Sequence, residues 1–254
     1  MKPKQLLFTI FSAIIIITTS CQKDDDFIEN PTFPNNAKLK RILLYPSIES
    51  KAAINIDKEY EYDENGRISK INSPMYENGE ITGLFSYDLY NYNSLGQLVK
   101  IENYHANSNS PTGFINLKNY VYSYTDDGKI DKIEVSNEYS LYKYENNLLT
   151  RIEEYENSGE LERYTEYEYD NSGNLIKETA YDSNNRPYAQ TKHSFKNGLN
   201  IQSDIYGGEE MTLRVREIHR TYDRNNNLII KESNELLLTS SAISYVLRYE
   251  YFEE

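Results

Sequence analysis

From about residue 55 onward, apolar and polar side chains alternate in short runs that are separated by turn residues. The run 161–169 shows this plainly, because Tyr167 and Tyr169 alternate with Glu166 and Glu168. Successive side chains of a strand point to opposite faces, so the tyrosines share one face and the glutamates share the other. No segment after residue 37 has the apolar period of a long helix. The pattern predicts an all-β fold.

One unit recurs through this region. It consists of Tyr-x-Tyr, a turn with Asp and Gly, and a return run of apolar-x-Lys-apolar. Full copies begin at Tyr60, Tyr90, Tyr122 and Tyr167, shortened copies at Tyr142 and His193, a copy without Gly at Tyr222, and an opening pair at Tyr249. In the first copy Asp63 can accept bonds from backbone N–H groups ahead of it, and Gly66 can adopt a positive φ. Chained hairpins of this kind predict an antiparallel meander of about 14–16 strands.

The N-terminus has the layout of a secretory signal. Lys2 and Lys4 precede an apolar run from Leu6 to Ile17, and small residues then lead to Cys21. The run of about 12 residues is too short to span a hydrocarbon core, which needs about 20. We therefore predict a signal peptide over residues 1–20, cleaved between Ser20 and Cys21. An ordinary secretory signal with an incidental cysteine, or an uncleaved anchor, are the alternatives.

Residues 21–36 are predicted to be a flexible acidic tether, and residues 37–254 the repeat domain. The tether contains Lys23, Asp24, Asp25 and Asp26, followed by two prolines, and offers nothing from which to build a core. The net charge of −13 disfavours nucleic acid and acidic membrane surfaces as partners. The single cysteine excludes an internal disulfide and a zinc site with several thiolate ligands.

The segment Thr18-Thr19-Ser20-Cys21 resembles the lipobox of bacterial lipoproteins, with Thr18 where that family usually has Leu. The resemblance implies that a lipid such as palmitate is attached to Cys21, which would anchor the mature protein to a membrane. Lys23-Asp24-Asp25-Asp26 resembles the surface-export signal of Bacteroidetes lipoproteins. It implies a lipid-anchored outer-membrane protein exposed on the cell surface, whereas a plain spacer would leave the protein on the periplasmic side.

The repeat resembles the YD repeats of the RHS/YD-repeat proteins, which build long curling β-sheets. The best matches are Tyr62-Asp63 with Gly66 and Ile68, and Tyr169-Asp170 with Gly173 and Leu175; Asn93, Thr125 and Glu145 replace the Asp, and Asn147 and Asn226 replace the Gly. A lipoprotein leader before a short array is similar to Bacteroidetes lipoproteins with a curved, porin-like sheet. The resemblance implies such a sheet, leaves its closure into a barrel open, and implies no activity.

Candidates for chemistry are weak. The alternating glutamates have the pattern of a solvated strand face, and His105, His193 and His219 are scattered, with His193 at a tyrosine position of the repeat. Thr125-Asp126-Asp127-Gly128 and Asp24-Asp25-Asp26 offer oxygen atoms to calcium but match no EF-hand loop. We predict no catalytic residues, no metal ligands and no cofactor.

The sequence thus predicts a non-catalytic lipoprotein that acts as a binding or scaffold module, with an extracellular glycan or an envelope protein as its partner. The tyrosine pairs could stack on sugars, although their regularity and the absence of Trp favour a packing role. An alternative is a structural component of a larger envelope assembly with no ligand of its own. A hydrolase of glycans ranks third.

Overall fold

The computed structural model describes residues 33–34, 36–77, 80–208, 210–236 and 244–252. They belong to one compact unit, Pro31–Glu254. The predicted signal peptide, the lipidation site at Cys21 and the export signal Lys23–Asp26 lie outside the described residues. No helix in the described ranges has both the length and the apolar character needed to cross a membrane.

Sixteen β-strands make up the regular structure of the described part of the chain. They are β1 Leu39–Tyr45, β2 Asn55–Tyr62, β3 Ile68–Glu77, β4 Glu80–Tyr92, β5 Leu98–Ala106, β6 Phe114–Tyr124, β7 Ile130–Val135, β8 Glu138–Glu145, β9 Leu148–Tyr155, β10 Leu161–Tyr169, β11 Leu175–Asp182, β12 Pro187–Lys196, β13 Leu199–Gly207, β14 Leu213–Tyr222, β15 Leu228–Glu235 and β16 Tyr245–Tyr251. The prediction of an all-β meander of this size is confirmed.

The sheet closes on itself. Each strand pairs antiparallel with its neighbours in sequence, and β1 also pairs with β16 through contacts such as Arg41↔Glu250 and Leu44↔Leu247. A closed sheet has no unpaired edge, so the backbone groups of both terminal strands are hydrogen-bonded. Porins of 16–18 strands enclose a water-filled lumen, so a barrel of sixteen strands is wide enough to do the same.

The turns of the repeat lie together at one end of the barrel, which we call the near end. Asp63 Oδ1 accepts hydrogen bonds from the backbone N–H groups of Asn65, at 3.0 Å, and Arg67, at 2.8 Å. Gly66 has a φ of +76°, and Asn226, which takes the place of Gly in its copy, has a φ of +66°. Asn tolerates the left-handed region better than most residues, so the copy without Gly keeps the same turn. The two shortened copies instead have two-residue turns, at Asn146-Asn147 and Asn197-Gly198, in which both residues have a positive φ. The predicted turn chemistry is confirmed.

A β-bulge accompanies each of these turns. The register slips by one residue just before the second tyrosine of the pair, for example between Glu61 and Tyr62 and between Asn91 and Tyr92. The same slip occurs at the corresponding positions of β6, β8, β10, β12 and β14. Bulges bend a strand and increase its twist, so seven regularly spaced ones curve the sheet steadily.

The two faces of the sheet differ in exposure. Both tyrosines of each Tyr-x-Tyr pair are half-buried, whereas the residue between them is exposed in every such pair of β2, β4, β6, β8 and β10. Those exposed residues are Glu61, Asn91, Ser123, Lys143 and Glu168. Side chains converge on the concave face of a closed sheet and diverge on its convex face. The tyrosine face therefore lines the lumen, and the charged face is the outside of the barrel.

A small apolar cluster lies where the barrel closes. Leu43, Tyr45, Ile56 and Val246 are buried together across β16, β1 and β2. The connection 46–54 lies against this seam, because Arg248 Nη2 donates a 2.8 Å hydrogen bond to the carbonyl oxygen of Ile48. Burial of this cluster stabilises the pairing of the first strand with the last.

Candidate functional site

The tyrosine face presents two rings of side chains, each with one residue from every even-numbered strand. The inner ring, formed by the first residue of each pair, contains Tyr60, Tyr90, Tyr122, Tyr142, Tyr167, His193, Arg220 and Tyr249. The end ring, formed by the second residue, contains Tyr62, Tyr92, Tyr124, Tyr144, Tyr169, Phe195, Tyr222 and Tyr251. The two rings differ in what their hydroxyl groups contact.

Hydroxyl groups of the end ring are used by the fold. Tyr92 donates a hydrogen bond to the carbonyl oxygen of Ile68, at 2.8 Å, and Tyr124 donates to that of Leu98, at 2.7 Å. The hydroxyls of Tyr62, Tyr169, Tyr222 and Tyr251 make equivalent bonds to the preceding strand. Each bond ties a strand to the strand before it at the near end. These six hydroxyls of the end ring are therefore structural.

Hydroxyl groups of the inner ring have no hydrogen-bond partner within the described part of the chain. These tyrosines are half-buried, so their hydroxyls remain accessible from the lumen. Burial, followed by the nearby carboxylate of Asp88 and by Tyr122 and Tyr60, raises the pKa of Tyr90 to about 12. Burial and the Glu178 carboxylate raise the pKa of Tyr167 to about 12 in the same way. At neutral pH the inner ring therefore presents neutral hydroxyls that can donate and accept hydrogen bonds.

The inner ring is uniform over most of its circumference and changes in one sector. Five of its tyrosines lie opposite an isoleucine on the neighbouring strand, in the pairs Tyr60↔Ile71, Tyr90↔Ile101, Tyr122↔Ile133, Tyr142↔Ile152 and Tyr249↔Ile42. The three remaining pairs are Tyr167↔Glu178, His193↔Ser203 and Arg220↔Lys231. We call Glu178, His193, Ser203, Arg220 and Lys231 the polar sector. A local departure from an otherwise regular pattern is where a functional site is expected.

His193 is at the centre of a hydrogen-bond network in this sector. Its Nε2 lies 2.8 Å from Glu178 Oε1 and its Nδ1 lies 2.8 Å from Ser203 Oγ. Arg220 Nη1 donates to Ser203 Oγ at 2.8 Å and to Asn200 Oδ1 at 3.0 Å. Because Ser203 Oγ accepts from Arg220, its own proton is free to point to Nδ1. The imidazole then carries its proton on Nε2 and donates it to Glu178.

The order serine, histidine, carboxylate is also that of a nucleophilic relay. Ser203, however, is only 1% exposed, and its oxygen is held between the imidazole of His193 and the guanidinium of Arg220. A substrate carbonyl has no path to that oxygen. The network instead holds Arg220 in a defined orientation. The packing role predicted for His193 is thus extended to a chain of hydrogen bonds that ends on a cation.

Cations of the polar sector differ from those outside the barrel. On the charged face, Lys177 lies 2.5 Å from Glu168 and Arg151 lies 3.1 Å from Glu153. Within the described residues, neither Arg220 nor Lys231 forms an ion pair with a carboxylate. The carboxylate of the sector, Glu178, is hydrogen-bonded to His193, so both cations lack a direct carboxylate partner there, although the chain as a whole carries −13.

The other sequence candidates do not converge. His105 packs edge-on against Phe85, and His219 Nε2 lies 2.8 Å from Glu217. Asp127 belongs to a near-end turn, where its hydrogen bond to Lys129 lowers the pKa of its carboxyl group. The described ranges contain no group of three or more His, Cys, Asp or Glu side chains arranged to hold a metal ion.

Sequence reasoning identified His193 but missed the rest of the sector. The sequence signal is present at two positions of the repeat unit. His193 and Arg220 replace the first tyrosine, and Glu178, Ser203 and Lys231 replace the isoleucine opposite it. An alignment of the repeat copies would have shown that the residues at these two positions change in neighbouring copies. That the two positions face each other across neighbouring strands, however, depends on the strand register.

Comparisons with known proteins give structural neighbours only. No protein-family model matches the sequence, and no curated protein matches it. Porin-like proteins from Bacteroides uniformis and Bacteroides vulgatus, both solved as crystal structures, align with 12% identity and a TM-score of 0.38 each. The alignments cover 87% and 85% of this chain and 100% and 99% of theirs. A chain of the Photorhabdus luminescens Tc holotoxin pore aligns over 79% of this chain and 13% of its own, with 12% identity and a TM-score of 0.26.

Proposed function

We propose that this protein is a lipid-anchored binding module of the cell envelope that binds part of an extracellular glycan inside its barrel. The observation that carries the proposal is the inner ring, where unpartnered tyrosine hydroxyls are interrupted by the polar sector. A guanidinium and an ammonium group opposite each other in the lumen repel each other and add nothing to packing, so packing alone does not explain them.

The chemistry of the inner ring suits a hydrophilic chain. Neutral phenol hydroxyls can exchange hydrogen bonds with sugar hydroxyls, and the aromatic faces can contact the apolar faces of sugar rings. Sites for small ligands are concave and combine aromatic walls with a few polar groups that fix orientation. The inner ring and the polar sector together have this composition, with Glu178, Arg220 and Lys231 as the charged groups.

The N-terminal segment supports an anchored barrel. The backbone N–H of Phe33 donates a 2.8 Å hydrogen bond to Asp223 Oδ2, and its ring lies 4.9 Å from that of Tyr251. The last part of the predicted tether thus contacts the near end of the barrel. An extended chain from a lipid on Cys21 to Phe33 would span at most about 40 Å, which keeps the near end close to the membrane.

Binding is tested with the full-length protein purified in detergent and a panel of neutral and acidic oligosaccharides. We expect at least one oligosaccharide to raise the melting temperature, since a ligand that binds only the folded state stabilises it. The variant Tyr90→Phe/Tyr122→Phe, which loses two inner-ring hydroxyls, should bind more weakly. Tyr104→Phe removes a hydroxyl from the charged face and serves as the control. Lumen binding is refuted if no oligosaccharide shifts the melting temperature. It is also refuted if the inner-ring double variant binds as tightly as the Tyr104→Phe control.

Surface exposure is tested by protease digestion of intact cells. The wild type should be digested, whereas a variant in which Lys23, Asp24, Asp25 and Asp26 are replaced by neutral residues should be protected. Protection of both proteins would contradict cell-surface display and would direct the search to ligands on the periplasmic side.

A second candidate function is that of an accessory component in a larger envelope assembly. The far ends of β3, β4 and β6 carry exposed apolar side chains, among them Met75 at 38%, Ile81 at 48% and Phe85 at 56% exposure. Exposed apolar patches often mark protein contacts. This candidate predicts a partner that co-purifies in stoichiometric amount and is lost in Ile81→Ser/Phe85→Ser, with glycan binding absent.

A further inference from the structure

We infer that Arg220 and Lys231 bind the carboxylate of an acidic sugar residue, so that the ligand of the barrel is an acidic oligosaccharide. The inference rests on the proposed binding of a glycan in the lumen and specifies its chemical class. Three observations carry it: the register that places the two cations opposite each other, the absence of an ion pair between either cation and a carboxylate of the described residues, and the orientation of the guanidinium.

The register makes Arg220 and Lys231 direct cross-strand neighbours on the concave face. Directly opposed residues have Cβ atoms about 5 Å apart, and like charges in such a pair destabilise the sheet. The lumen side of a barrel allows less divergence of the two side chains than the outside does. An anion between them would convert this repulsion into attraction.

The barrel contains two other opposed pairs of cations, and both lie on the charged face. Lys143 lies opposite Arg151, which contacts Glu153 at 3.1 Å and Glu166 at 3.4 Å. Lys177 lies opposite Lys192 and contacts Glu168 at 2.5 Å. In the outer pairs a carboxylate of the chain itself therefore supplies the counter-charge. The pair in the lumen is the one of the three in which neither cation forms an ion pair with a carboxylate of the described residues.

Only one nitrogen of the Arg220 guanidinium is used in hydrogen bonds within the described residues, which leaves the other two available to a ligand. Nη1 donates to Asn200 and Ser203. Ser203 is in turn bonded to His193, and His193 is bonded to Glu178. Nε and Nη2 have no hydrogen-bond partner in the described ranges. A guanidinium with two free N–H groups in a plane matches the two oxygens of a carboxylate. Because the network already restrains the side chain, little further entropy is lost when the ligand binds.

A tyrosine hydroxyl lies beside the two cations. Tyr249 is close enough to Arg220 for the guanidinium to oppose the increase of its pKa, which burial nevertheless raises to about 12. Tyr167 lies on the other side of the sector, opposite Glu178. A sugar whose carboxylate contacts Arg220 would therefore have the neutral hydroxyl of Tyr249 within reach, and an oligosaccharide that extends along the polar sector would approach that of Tyr167. This combination favours a uronic acid over a small inorganic anion.

The test uses the full-length protein in detergent and two probes of the same sugar, trigalacturonate and its methyl-esterified form, in titration calorimetry. We expect the wild type to bind the acid about tenfold more tightly than the ester, since hydrogen bonds to charged groups are the stronger kind. Lys231→Gln should lose this preference, because its affinity for the acid should fall by more than its affinity for the ester. Arg220→Lys keeps the charge but not the planar fork, and should lose most of the preference. Lys143→Gln, from an outer pair, is the control and should behave as the wild type.

A second measurement needs no ligand. Lys231→Gln removes the repulsion in the lumen, so its melting temperature without ligand and at low ionic strength should exceed that of the wild type. Lys143→Gln should show no such rise. Equal affinity of the wild type for acid and ester, or a fall in the melting temperature of Lys231→Gln, overturns the inference and leaves lumen binding of glycans standing. If neither probe binds the wild type while other oligosaccharides do, the acidic class is refuted; if none binds, the proposed function fails as well.

Discussion

Removal of single hydroxyl groups should separate the structural ring from the binding ring. In Tyr92→Phe the ring still packs, but the 2.8 Å bond to the carbonyl oxygen of Ile68 is lost. A hydrogen bond of this kind contributes about 0.5–1.5 kcal/mol net, and a carbonyl left without a partner adds to the loss. We expect the free energy of unfolding to fall by about 1 kcal/mol. For a chain of this size that corresponds to a decrease of about 2–4 °C in melting temperature.

The assay is thermal unfolding of the full-length protein, followed by circular dichroism at neutral pH. Tyr90→Phe is the first control, because its hydroxyl has no partner in the described residues, and it should stay within about 0.5 kcal/mol of the wild type. Tyr144→Phe is the second, since Tyr144 belongs to the end ring but makes no such carbonyl bond in the described structure. Equal losses in Tyr90→Phe and Tyr92→Phe, or no loss in Tyr92→Phe, would refute the division into two rings.

Four further predictions concern turns, ionisation and anchoring. Gly96→Ala, at a φ of +80°, should lower stability by about 1 kcal/mol in urea unfolding, and Gly96→Asn by less, because Asn occupies this turn position elsewhere in the chain. Burial raises the pKa of Tyr249 to about 12, so the folded state favours the neutral phenol. This contribution to the free energy of unfolding should be present below pH 10 and lost as the pH rises from 10 through 12. Absorbance titration at 295 nm checks the late ionisation. Asp223→Ala should lower the melting temperature more than Asp170→Ala, because Asp223 also holds the N-terminal segment; equal effects would argue against that contact. Cys21→Ser should move the protein from the membrane to the soluble fraction in cell fractionation, and unchanged membrane association would exclude the lipid anchor.

Much of the fold could be predicted because the repeat is local. The turn at Asp63 and Gly66 involves residues within a few positions of each other, so side-chain hydrogen bonding and backbone conformation can be inferred without a tertiary structure. The same is true of the face shared by Tyr60 and Tyr62, which follows from the geometry of a single strand. Where Asn226 replaces Gly, the physical reason for the turn still applies, and the turn is still formed.

The candidate site could be predicted only in part, because it is assembled across strands. His193 is visible as a departure from the repeat, but its bonds to Glu178 and Ser203 join three different strands. Arg220 and Lys231 become a pair only through the register of β14 with β15, and a slip of one residue would place one of them on the outside.

By itself, the sequence determined the strand type, the hairpin turns, the number of strands to within two, and the face that the two tyrosines of each Tyr-x-Tyr pair share. These properties depend on interactions between residues that are near each other in the chain. Only the tertiary structure decided that β1 pairs with β16, which face is concave, and which hydroxyls bond to carbonyl oxygens and which remain free. Closure depends on the bend that β-bulges accumulate around the sheet, the seven beside the near-end turns among them, and on contacts between residues about 200 positions apart, such as Arg41 and Glu250. Such contacts leave no local pattern, because each half of the pair is compatible with many other partners.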